Sequence, residues 1–215
     1  MQTAMQDKTF LDMTRERWSV RKFAPGQISE EHMARILEAG RCAPSACNYQ
    51  PQRVLVLQSD EAIERMRQIT HWAFNAPTIL LVCADLTESW KNIDGCDSAE
   101  IDATIALDHM MMEAWECGVG STWVRGFDER VMRQAFNIPS TWKIVSMMPM
   151  GYPAENARPS KWHFNRKDAE ELYRFMQEGY WKHSATQSSG ETVQKQGWMY
   201  LSRPMGLHHE QLSYP

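Results

Sequence analysis

Apolar residues return every third or fourth position through MARILEAG, so Met33, Ile36, Leu37 and Gly40 share one face of a predicted helix. Ser29 is suited to cap its start, and Ile28 and Met33 are spaced as a hydrophobic staple. An earlier helix is predicted over 7–17. RVLVLQ at 53–58 is strand-like, and Asp60 is placed to cap the short helix EAIERMRQI that follows. TILLVCA at 78–84 is apolar without alternation, the pattern of a fully buried strand. The longest helical pattern, SAEIDATIALDHMMMEAWEC over about 97–117, spreads Ile101, Ile105, Leu107, Met110, Met111, Ala114 and Trp115 over more than one face. Such a helix is central, or is buried against a partner chain, and Gly118 is its stop signal. A strand (GSTWV), a helix opened by Asp128 (ERVMRQAF), a strand (KIVSMMPMG) and a helix (KDAEELYRFM) complete the order. Short connections join them, and the whole reads as one α+β domain over 1–178.

Two stretches break the periodic pattern. RCAPSACNYQP at 41–51 is a helix-to-strand loop in which Pro44 and Pro51 lack backbone donors while Ser45, Asn48 and Gln50 offer polar side chains. A loop of this kind stops a helix or holds a polar ligand. After residue 178, KHSATQSSGETVQKQG is poor in large apolar residues, so 179–215 reads as a C-terminal arm. Its end, WMYLSRPMGL, sets Trp198, Met199, Tyr200 and Leu201 side by side. That patch is costly to leave in water and is expected to pack on something, a second subunit included.

Composition narrows the class. A 43% hydrophobic and 10% aromatic chain of 215 residues fills a core, and a formal net charge of −4 supplies no basic field for nucleic acid. No apolar run approaches the ~20 residues of a membrane helix, and MQTAMQDKTF lacks the blocks of a secretory signal, which points to a cytoplasmic protein. Five cysteines, with no CxxC pair, suggest free thiols rather than a disulfide framework or a zinc knuckle. Cys47, in the polar loop, has no nearby His or Lys in sequence and reads as structural. His109 and Glu113 have metal-pair spacing but no third ligand in view, and HHE at 208–210 is only a fragment. The methionines at 110–112 and 147–150 read as core filler.

RERWSVRKF gathers Arg15, Arg17, Arg21 and Lys22 around Ser19, a cationic patch with a hydroxyl. Phosphate suits it, since guanidinium forks match phosphate oxygens; the alternative is a set of solvated charges at a helix end. Arg166 and Lys167 precede the last predicted helix, where backbone donors also favour an anion.

Taken in order, RWSVRKF, APSACNYQP, IALDHMMMEAWECGVGSTWVRGFD, IPSTWKIVSMMPMGYPAE and HFNRKDAEEL resemble the FMN-dependent nitroreductase family across about 17–175. The resemblance implies a mixed, largely antiparallel sheet flanked by helices, a homodimer, and FMN sites built from both subunits. By position it assigns Arg17, Trp18, Ser19 and Arg21 to the FMN phosphate and ribityl chain, with Arg166 as a late phosphate arginine. It lays the loop of Pro44, Ser45, Ala46, Asn48 and Gln50 against the isoalloxazine of the other chain, and sets Gly118, Gly120 and Ser121 near the flavin. This chain has Gln52 where many members carry Trp, and Lys167–Asp168 where many read Lys-Pro. The segment at 86–98, around Trp90 and Lys91, is the rim of the substrate pocket or an ordinary surface loop.

The activity implied is NADH- or NADPH-dependent reduction of nitroaromatics, quinones or similar flat acceptors by a ping-pong mechanism, with no catalytic side chain required. The rivals are a specialised flavin reductase such as a reductive dehalogenase, and a non-catalytic flavin-binding partner protein.

Overall fold

In the computed structural model, which describes residues 9–173, strand β2 (Thr78–Asp85) is buried at every position but its last. The reason lies on its two sides. Leu80, Val82 and Ala84 enter a core with α2 (Glu30–Arg41) and α4 (Ala99–Glu116), while Ile79, Leu81 and Cys83 enter a second core with α3 (Asp60–Ile69) and α5 (Glu129–Ala135). Both sets of side chains leave water, each large one contributing about 1.5–3 kcal/mol, so the strand has no polar face to alternate with. β1 (Gln52–Leu57), β2, β4 (Trp142–Gly151) and β3 (Gly120–Ser121) form one sheet in the order β1-β2-β4-β3, every neighbouring pair antiparallel. This is the predicted α+β class, a largely antiparallel sheet between helices.

Local chemistry sets the helix ends. α1 spans Phe10–Glu16, shorter than 7–17, because Thr9 and Asp12 close a capping box at its start. Ser29 caps α2, its Oγ accepting the His32 N–H at 3.2 Å. At α3 the cap is Ser59 rather than Asp60, with Oγ accepting the Ala62 N–H at 3.2 Å. That placement moves the carboxylates of Asp60 and Glu61 into the first turn, where the helix dipole favours them. Asp128 caps α5 as expected, and α4 stops before Gly118, whose φ of +71° suits glycine. Met110, Met147, Met148 and Met150 are buried fillers.

GSTWV is not a continuous strand. The ladder with β4 covers Gly120 and Ser121, the Thr122 N–H adds a bond to Pro149 O at 3.1 Å, and after the half-exposed Trp123 the pairing resumes as a single bridge from Val124 to Met147. A Cβ on Gly120 would stand 2.5 Å from Cγ2 of the fully buried Val20. Gly120→Ala is therefore expected to cost about 1–3 kcal/mol in urea unfolding by overpacking; a cost near zero would show that Val20 moves freely.

The two buried thiols differ from the exposed ones. Burial pushes the Cys83 thiol up to about 12 and the Cys117 thiol up to about 11, whereas Cys42, Cys47 and Cys96 are exposed. Thiolate is the reactive form, so iodoacetamide at mild pH is expected to label Cys83 only after unfolding; rapid labelling in the folded protein would contradict its placement.

The chain divides between Arg166 and Lys167. On the far side α6 (Ala169–Leu172) opens with a capping box between Asp168 and Glu171. The rest of the helix predicted there, and the arm at 179–215, lie outside the described residues. No helix among the described residues is long and apolar enough to cross a membrane.

Candidate functional site

After α1 the chain turns extended at Arg17 and runs beside the sheet. Ser19 pairs with Ser121 in a parallel bridge, and the Val20 N–H donates to the Ser121 carbonyl at 3.0 Å. Farther on, the Ala24 N–H donates to Tyr152 O at 2.8 Å and the Ala154 N–H to Lys22 O at 3.0 Å. The segment is thus stitched between β3 and the chain leaving β4. Trp18 meets Trp115, near the C-terminal end of α4, edge to face with ring centroids 6.5 Å apart.

Arg17 is half-buried; its backbone N–H donates to Met13 O at 2.9 Å, and its side chain donates no hydrogen bond among the described residues. Burial holds its pKa below the usual value; the exposed Asp108 pulls upward and the neighbouring guanidinium of Arg166 pushes down. Arg166 is anchored through Nη1 alone, which donates to the carbonyls of Trp162 and Asn165 at 3.0 Å each. A partly desolvated guanidinium that feels a second cation is stabilised by an anion, and Asp108 supplies part of that. A phosphate-sized group fits that charge pattern. Arg21 is engaged elsewhere: it donates to Ser19 O at 3.2 Å and its guanidinium lies 5.9 Å from the centre of the Phe74 ring.

The polar loop after α2 is wound tightly. Ala46–Asn48 form a 3-10 turn, and Cys47, Asn48 and Gln50 have φ of +49°, +57° and +51°. Left-handed conformations in residues other than glycine cost about 1 kcal/mol or more each, so the turn depends on outside bonds. Ser45 Oγ accepts the Gln50 N–H at 2.9 Å, and Asp102 on α4 accepts the Ala46 N–H at 3.0 Å. Between this loop, α2, β1 and α4 lies a cavity of about 300 Å³. Gln52 lines it, and its Oε1 is buried with no hydrogen-bond partner among the described residues.

The segment at 86–98 closes a small hairpin in which Lys91 pairs with Asp97 and Asn92 Oδ1 accepts the N–H groups of Asp94 and Cys96. Ile93 at its tip is fully exposed.

Of the residues singled out from sequence, Trp18, Ser19, Gly120 and Ser121 gather near the C-terminal end of α4, while Arg17 feels Arg166 and Asp108, a residue midway along that helix. Pro44, Ser45, Ala46, Asn48 and Gln50 gather elsewhere. Their anchor, Asp102, is thirteen positions from Trp115 on α4, roughly 20 Å along the helix axis. Gly118 serves α4 as a stop, and the space above Gly120 belongs to Val20. Asp102 and Asp108 went unnoticed in the sequence. The one usable signal for Asp102 was a carboxylate among apolar neighbours in IDATIAL.

The model of the Nitroreductase family matches residues 14–81 and 69–152. The chain belongs to the nitroreductase family. A Methanothermobacter thermautotrophicus relative, provisionally named an NADH dehydrogenase/NAD(P)H nitroreductase, is 31% identical over 153 residues, which span 68% of this chain and 78% of the relative. An FMN reductase [NAD(P)H] of Bacillus subtilis is 25% identical over 104 residues, 47% of this chain and 42% of that one. The crystal structure of a nitroreductase family protein from Clostridium difficile 630 superposes with a TM-score of 0.74 at 29% identity, covering 79% of this chain and 99% of that one. This nitroreductase-family chain is accordingly an oxidoreductase, and its sheet and flanking helices are those of its structural relatives.

Proposed function

We propose that this nitroreductase-family protein binds FMN and reduces nitroaromatics, quinones or similar flat acceptors with NADH or NADPH. The observation that carries the reading is the half-buried Arg17, which feels the guanidinium of Arg166 as well as the carboxylate of Asp108 and lies two residues before Ser19 on the segment bridged to Ser121. The names of the Bacillus subtilis and Methanothermobacter thermautotrophicus relatives support the cofactor and the donor.

FMN, when bound, supplies the two-electron chemistry, oxidising the nicotinamide and reducing the acceptor. The protein's part is position and electrostatics. Arg17 and Arg166 hold the phosphate, and Ser19 adds a hydroxyl. Arg21 braces the backbone between them through the Ser19 carbonyl. Ser45, Asn48 and Gln50 present polar edges to the ring system, and Pro44 and Ala46 shape that wall. The loop is anchored at Asp102, and Trp18 of the cationic segment packs on Trp115, thirteen positions farther along α4; on this reading the wall serving one phosphate site comes from a second copy of the chain, and the working unit is a homodimer. Solvent at an open face protonates the reduced acceptor, so no protein acid is required.

The test is direct. The purified protein is expected to be yellow, to lose that visible absorbance on anaerobic mixing with NADH or NADPH, and to give parallel double-reciprocal plots when donor and acceptor are varied. Flavin that stays oxidised with both nicotinamides would sink the reading.

A further inference from the structure

We infer that Asp102 is a positioning residue that locks the Ser45–Gln50 wall to the 90–98 hairpin, an assignment that rests on the proposed flavin site. Its carboxylate is 3% exposed, and each oxygen has a separate task. Oδ1 accepts the Ala46 N–H at 3.0 Å, and Oδ2 accepts the Ser98 hydroxyl at 2.7 Å. Ser98 stands at the N-cap of α4 yet makes no capping bond with its side chain. Asp97 takes that duty instead, its Oδ1 accepting the Ala99 N–H at 3.0 Å. The Ser98 hydroxyl, a good capping group, is turned instead to orient Asp102.

Ser98 is also the foot of the hairpin, since its N–H donates to Trp90 O at 2.9 Å. A continuous chain of bonds therefore runs from Trp90 through Ser98 and Asp102 to Ala46. It ends at the turn whose left-handed residues, Cys47, Asn48 and Gln50, would relax if Ala46 were released. Hairpin and wall behave as one unit, and a displacement at Trp90 reaches the ring-facing amides of the loop.

Exchange of the Ala46 amide with deuterated water reads the clamp directly, in the full-length protein as purified and again after removal of flavin. Asp102→Ala is expected to accelerate exchange across 45–50 roughly tenfold or more and to weaken FMN binding by a similar factor. Asp102→Asn should restore both to within about twofold, because its carbonyl accepts from Ala46 and its amide donates to Ser98 Oγ. Ser98→Ala, which leaves the Ala46 bond, should give a smaller acceleration of about two- to fivefold, and it carries the test should Asp102→Ala fail to fold. Unchanged exchange in folded Asp102→Ala, no change in Ser98→Ala, or failure of Asp102→Asn to rescue would overturn the assignment. If exchange follows the expected order while the wild type takes up no FMN, the clamp stands and the flavin reading falls.

Discussion

Replacing Arg17 by alanine is expected to weaken FMN binding by about 1.5–3 kcal/mol, roughly 10- to 160-fold, the range for losing a charge-assisted bond to phosphate. The effect should fall on binding and spare the fold. Arg17 is held partly out of water beside another guanidinium, which costs stability in the empty protein, and Asp108 only partly compensates. The FMN-free variant should therefore melt at the same temperature as the wild type or slightly higher. Inorganic phosphate should raise the melting temperature of the FMN-free wild type and not that of the variant. Arg21→Ala should cost less, about 0.5–1 kcal/mol in FMN affinity, because that side chain already serves the Ser19 carbonyl and the Phe74 ring. Equal effects at the two positions, or wild-type affinity in Arg17→Ala, would mean that the phosphate lies elsewhere.

How much of this could be read from residues alone varied with the range of the forces involved. β2 was legible because a strand covered on both faces has no polar period, and Ser29 and Asp128 were legible because capping involves neighbours three residues away. GSTWV misled because β propensity says nothing about where a partner strand ends; β4 offers Gly120 and Ser121 a full pairing and Val124 a single bridge. The positive φ angles of Cys47 and Gln50 were illegible for a deeper reason. Neither residue favours that conformation, which exists because Asp102, far along the chain, holds Ala46. The same distance in sequence hid the meeting of Arg17 with Arg166, which only the resemblance between ordered motifs could suggest. Asp102 looked like one more acidic residue near a helix start, and its burial was decided by packing between α4 and the loop.

Two inactive variants are expected to restore activity when combined in one dimer. Arg17→Ala damages the cationic segment and leaves the loop whole; Asn48→Ala removes the amide proposed to face the ring and puts alanine at a left-handed position. Each alone should lose roughly tenfold or more in turnover at limiting FMN. In a heterodimer with twofold symmetry, one composite site carries both lesions. The other joins the intact segment of the Asn48→Ala chain to the intact loop of the Arg17→Ala chain. Dimers isolated through two different affinity tags should then show about half of the wild-type activity and bind one FMN tightly. The prediction turns on the proposed sharing of each site between two chains, with the loop anchored at Asp102 and Trp18 packed on Trp115, thirteen positions farther along α4. Were both halves of the site drawn from a single chain, every site in the mixed dimer would hold one lesion and no recovery would be seen.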